Sequence, residues 1–105
     1  MIFNAYAEQK DQIAGITLVS CGHIFAKKGR EIKRPDGRND WLLFYVAKES
    51  ETFYLENTVK ADAGSFIIFA PNEKQHHIYK GNKTGEFYFV HFKCDNLPVS
   101  VETSR

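Results

Sequence analysis

Cysteine is scarce in this chain: Cys21 and Cys94 are the only two, and neither belongs to a C-x-x-C pair. That excludes a disulfide framework and argues against a cysteine-type structural zinc site. An excess of one charge is missing as well. Fourteen basic residues stand against thirteen acidic ones, a net charge of +1, so charge supports neither a nucleic-acid grip nor a membrane surface. No apolar run approaches the ~18 residues a membrane helix needs. The opening "MIFNAYAEQKDQ" has no charged n-region followed by an apolar run, so no secretory leader is expected and a reduced cytoplasmic compartment is the simplest reading. Amphipathic helical stretches of three turns, internal repeats and low-complexity linkers are also missing.

What is present favours strands. Nine Phe, five Tyr and one Trp fall within 105 residues, and aromatics pack well on a pleated surface. That length favours one domain over residues 1–105. Apolar and β-branched clusters recur at 14–25 ("AGITLVSCGHIF"), 41–47 ("WLLFYVA"), 51–56 ("ETFYLE"), 64–70 ("GSFIIFA"), 76–79 ("HHIY") and 86–92 ("EFYFVHF"). Turn chemistry separates them: "KKGREIKRPDGRND", "KES", "NTVKADA", "PNEK" and "KGNKTG". Short strands with turn signals every 8–12 residues suggest an all-β sandwich or barrel. Residues 1–13 read equally as an N-terminal arm or as a frayed end. The tail "CDNLPVSVETSR" closes no pattern, which fits a piece of a longer protein.

The segment around "KGNKTG" predicts a hairpin pairing 75–80 with 86–92 about a turn near Lys83. Because side chains alternate along a strand, Gln75, His77 and Tyr79 then share a face with Phe87, Phe89 and His91. His76, Ile78, Tyr88 and Val90 take the opposite face, and the adjacent His76 and His77 cannot serve one metal. A one-residue change of register exchanges these sets.

The candidate sites divide by chemistry. A metal needs three or four donors converging at about 2 Å; of His23, His76, His77 and His91, only His77 and His91 share a face. Cys21 lies two residues before His23 and Cys94 follows a strand end, neither forming a recognisable nucleophile–base arrangement. The segment 27–38 carries six basic and two acidic residues, but Pro35-Asp36-Gly37 is turn chemistry and reads as a solvated loop rather than a phosphate grip. One arginine there, Arg34, precedes a buried strand and is placed to offer its donor fork to a carboxylate or to vicinal hydroxyls. The face of His77, Phe87, Phe89 and His91 mixes aromatic walls with a few polar groups. That composition fits a small-molecule pocket and fits equally an aromatic core with tolerated polar groups.

The order "RPDGRNDWLLFYV … AGSFIIFAPNEKQHHIY … EFYFVHF" resembles the N-terminal ligand-binding domain of AraC-family transcription regulators, from about Arg34 to Phe92. The resemblance implies a cupin-like double-stranded β-helix, a jelly-roll-type barrel, that senses a small molecule such as a sugar or related metabolite. In complete members this domain controls DNA binding by a C-terminal helix-turn-helix pair, which is not in this chain. The family's arabinose-sensing member has its sugar-contacting arginine at the position of Arg34. Its contact after the histidine of the proline segment falls on His77, and two contacts on the last aromatic strand fall on Phe87 and Phe89. Phe replaces polar or indole groups there, so arabinose itself is not expected.

Metal-binding cupins carry G-x5-P-x-G-x2-H after an H-x-H…E segment. Counting from Gly64 puts the ligand position on Gln75 and counting from Pro71 puts it on His76, while "WLLFYVAKESETFYLE" holds Phe, Tyr and Leu where the earlier histidines belong. The expectation is therefore a non-enzymatic sensor without metal or cofactor, its ligand-binding residues Arg34, His77, Phe87, Phe89 and His91. Its expected partners are a small-molecule effector, DNA only through the helix-turn-helix domain, and a second copy, with no membrane. Tyr88, Val90 and Phe92 are expected to be covered by helices of a longer parent or by that second copy. The alternatives are a small metal-dependent cupin enzyme of isomerase or dioxygenase type, and a β-domain used only for contacts.

Overall fold

A computed structural model describes residues 15–95; the candidate arm at 1–13 and most of the tail lie outside the described residues. Eight strands follow one another: β1 (Ile16–Ala26), β2 (Glu31–Arg34), β3 (Trp41–Lys48), β4 (Ser50–Tyr54), β5 (Thr58–Asp62), β6 (Phe66–Phe69), β7 (Gln75–Ile78) and β8 (Gly85–Cys94). They form two antiparallel four-stranded sheets, ordered β1-β8-β3-β6 and β2-β7-β4-β5. This is the expected all-β, jelly-roll-type double-stranded β-helix. Among the described residues no helix is long and apolar enough to cross a membrane.

The core lies between the sheets because alternation gives each strand an inward set. On β3 the inward residues Leu42, Phe44 and Val46 are buried. They meet Phe69 of β6, Phe87 of β8, Phe53 of β4 and Tyr79 just after β7. Phe44 stands edge-on to Phe53 at 5.7 Å and tilted on Phe87 at 5.3 Å, within the range where offset and edge contacts add to area burial.

The expected hairpin between 75–80 and 86–92 does not form. β7 pairs with β2 and β4, and β8 pairs with β1 and β3, so residues 80–84 cross from one sheet to the other. Alternation still turns Gln75, His77 and Tyr79 inward, and they face Phe87, Phe89 and His91 across the interior rather than along one sheet. The crossing is moored by the Tyr79 hydroxyl, which donates to the Lys83 carbonyl. On the outer face of β8, Tyr88 is 42% exposed and Val90 half-buried, while Phe92 is buried and stacks on Trp41 at 6.3 Å.

Two strands lie where the sequence predicts turn segments. β2 ("EIKR") has one apolar residue, and β5 ("TVKAD") has only Val59 and Ala61. Both are edges of their sheet, where charged, short strands protect unpaired backbone. The apolar signal is therefore weak exactly where the fold needs little burial. After β2, the Gly37 N–H closes a turn on the Arg34 carbonyl at 3.1 Å. Gly37 has φ +68°, and a Cβ there would sit 2.3 Å from the Glu73 carbonyl oxygen. Only glycine fits, and the turn fixes where Arg34 leaves β2.

Candidate functional site

Inward-facing side chains leave a cavity of about 100 Å³ between the sheets, lined in part from the edge strands β1 and β2. Arg30 and Arg34 flank it on one side with Ile24 and Ile32. β3 contributes Leu42 and Phe44, β7 contributes His77, and β8 contributes Phe89 and His91. A larger groove of about 470 Å³ runs over Tyr54, Leu55, Glu56, Glu73 and Lys74 on the surface, and none of the candidate residues reaches it.

Arg34, at the end of β2, is half-buried and donates from Nη1 to the Gln75 side-chain oxygen at 2.9 Å. Gln75 is fully buried, and its amide nitrogen has no partner among the described residues. Burial, then the nearby Arg38, lower the Arg34 pKa, against the opposing pull of Asp40. His77 is buried and donates from Nδ1 to Glu51 Oε2 at 2.6 Å, both side chains being 1% exposed. The ring is wedged against Phe44 at 4.9 Å and Phe53 at 4.7 Å. Glu51 thus fixes the tautomer of His77 and leaves Nε2 as its second nitrogen.

Phe89 is half-buried beside His91 at 5.3 Å. Its ring lies over Gly22 of β1, where a Cβ would come within 2.6 Å of it. Phe87 is fully buried one layer deeper, against Phe44 and against Tyr79 at 5.7 Å, and does not border the cavity. The structure therefore brings Arg34, His77, Phe89 and His91 around one space and sets Phe87 in the core behind it.

His91 is buried, with Nδ1 3.5 Å from Asp40 Oδ1 and no hydrogen bond. Asp40, itself buried, is held by a bidentate pair with Arg38 at 2.7 and 2.9 Å. That guanidinium holds the Asp40 carboxyl below the usual range, and burial followed by Arg38 lowers the His91 pKa. Sign follows from linkage. A His91 that resists protonation in the fold gives stability that is complete above its unfolded pKa of about 6.5 and is lost as pH falls towards its lower folded value. Asp40 adds a second loss, below about pH 3.9. Urea unfolding at pH 7.5 and 5.5 is expected to show lower stability at 5.5, and His91→Gln is expected to flatten the difference. An unchanged pH difference in that variant refutes the assignment.

The other two histidines lie on the outer faces. His23 Nε2 donates to Glu86 at 2.6 Å and stacks on Tyr88 at 4.1 Å. His76 Nε2 donates to Glu31 at 2.6 Å. The adjacent His76 and His77 are thus on opposite sides of one sheet, each with its own carboxylate. Among the described residues no three His, Cys, Asp or Glu side chains converge. His77 is committed to Glu51, Leu42 and Phe44 fill the inward positions of β3, and the donor set does not fit a resident metal.

Sequence reasoning placed Gln75 on the inward face but missed Arg30, Glu51 and Asp40 as part of the site's frame. Parity carried a signal for two of them: Asp40 alternates with buried Leu42 and Phe44, and Glu51 with buried Phe53.

No family model matches the chain, and no curated protein matches it. Solved structures do. An RmlC-like cupin with a double-stranded β-helix fold from Methanocaldococcus jannaschii aligns with TM-score 0.59 at 19% identity, over 90% of this chain and 92% of that one. The cupin domain of an XRE-family transcriptional regulator from Enterobacter cloacae aligns with TM-score 0.59 at 8% identity, over 81% of this chain and 100% of that one. A putative ethanolamine utilization protein Q from Salmonella typhimurium aligns with TM-score 0.53 at 13% identity, over 77% and 70%. At these identities the likeness is one of fold: a cupin-type double-stranded β-helix.

Proposed function

We propose that this chain is the effector-sensing domain of a transcription regulator, of AraC type by the order of its motifs, and that it binds a small molecule between its sheets. The observation that carries the reading is the cavity, where Arg34, His77, Phe89 and His91 border one space. Polar groups held by buried partners, within apolar walls, are the composition of a ligand site. The regulator domain among the structural neighbours supports it as an instance of this fold serving in regulation. In this mechanism the ligand draws the population towards one arrangement of the barrel and its helix-turn-helix domain. Function by binding rather than by catalysis, without a cofactor, is part of the proposal, as is a cytoplasmic location.

A thermal-shift screen of sugars, sugar acids and small metabolites tests the reading. A true effector at a hundredfold excess over its Kd adds about 2.7 kcal/mol, which moves Tm of a domain this size by roughly 10 °C or more. Arg34→Ala is expected to abolish that shift while leaving the folded spectrum intact. A shift that survives Arg34→Ala places the ligand elsewhere and overturns the site.

A further inference from the structure

We infer that the ligand is a short organic anion, of pyruvate or lactate size, whose carboxylate is gripped by Arg30 and Arg34 together. The inference rests on the effector-binding reading and narrows it. The first reason is the sign of the lining. Arg30 and Arg34 border the cavity as its fixed positive charges, and no Asp or Glu borders it. Two carboxylates stand behind the lining and both are engaged, Asp40 by Arg38 through two hydrogen bonds and Glu51 by His77. Among the described residues neither Arg30 nor Arg34 has a carboxylate within ion-pair distance.

The second reason is donor count. A guanidinium has five N–H donors in a fork that fits a carboxylate, and Arg34 uses one of its two terminal nitrogens on Gln75. Gln75 is fully buried and holds the Arg34 guanidinium from behind, so the Arg34 half of the grip is preorganised.

The third reason is size and the remaining walls. A cavity of about 100 Å³ lies well below the ~300–1,000 Å³ of pockets for drug-sized ligands, which suits a small guest. Ile24, Ile32, Leu42, Phe44 and Phe89 make the other walls apolar, which suits a carboxylate on a short hydrocarbon rather than a hydrated inorganic ion.

The test uses the 105-residue chain in buffer free of carboxylates and phosphate. Thermal shift and titration calorimetry are run with pyruvate, lactate, the neutral isostere lactamide, arabinose and inorganic phosphate. Lactate or pyruvate is expected to bind, lactamide and arabinose not. Arg34→Gln and Arg30→Gln, each verified as folded by circular dichroism, are expected to weaken binding by about tenfold or more, as loss of a charge-assisted hydrogen bond implies. Binding of lactamide or arabinose as tight as that of lactate overturns the anion inference while the sensing reading stands. Phosphate binding as tightly as the carboxylates overturns its organic part. Carboxylate binding indifferent to both arginine changes overturns the grip. If none of the five compounds binds the folded protein, the inference falls; the sensing reading falls with it only if the wider effector screen is also blank.

Discussion

His77→Ala is expected to lower the unfolding free energy by about 3–5 kcal/mol, the usual penalty for stripping one partner from a buried ion pair or charge-assisted hydrogen bond. Glu51 is 1% exposed, its Oε2 bonds His77 at 2.6 Å, and its Oε1 has no partner among the described residues. Without the imidazole, the carboxylate loses its one side-chain bond in an aromatic setting, which is costly for a buried charge. Against a typical total of about 5–15 kcal/mol, the variant stands near the edge of folding. The double variant Glu51→Leu/His77→Phe is expected to recover much of the loss, because it removes the stranded group together with its partner. Urea denaturation of the two single variants and the double one reads this directly. Additive losses, with no recovery in the double variant, would refute the coupling. The result also bears on how the ligand site is tested. A binding loss in His77→Ala mixes contact with unfolding, whereas Arg34, half-buried and bonded to an uncharged amide, gives the cleaner substitution.

The second large effect is expected at Phe44. Its ring is 3% exposed and touches Phe53, His77 and Phe87 at 5.7, 4.9 and 5.3 Å. It also forms the floor between the core and the cavity. Phe44→Ala removes a buried ring and leaves a hole, for which about 3–5 kcal/mol is the ordinary loss. The hole joins the existing space, so the variant is expected to lose affinity for the smallest ligands as their apolar wall recedes. A lower urea midpoint with unchanged slope identifies the stability change as one of packing. A loss below about 1 kcal/mol would mean that the neighbouring rings collapse into the gap and that Phe44 does not hold the cavity open.

The sequence made the inward set of β7 and β8 legible, although the pairing inferred for them does not occur. Parity along a strand depends only on local geometry, so His77, Phe89 and His91 point inward whether their strands are neighbours or stand in opposite sheets. Which sheet a strand joins depends on non-local pairing, and "KGNKTG" carries no signal separating a hairpin turn from a crossing between sheets. Arg34 was legible from its place in the Pro-Gly turn. Arg30 was not, because one arginine in a basic loop resembles its neighbours until the chain is folded. Phe87 and Phe89 have the same parity and the same side chain; depth separates them, and depth is a property of the assembled sandwich.

Gly22 does not border the cavity, yet it governs how much room the cavity has. The Phe89 ring rests where a methyl on residue 22 would be, 2.6 Å away, so any bulk added there displaces the ring, and the free room beside it is the chamber itself. Capacity is therefore set from behind the wall, by a hydrogen atom on the neighbouring strand. A barrel of this kind can be narrowed by one backbone-adjacent carbon, with the identity of every residue lining the cavity left as it is.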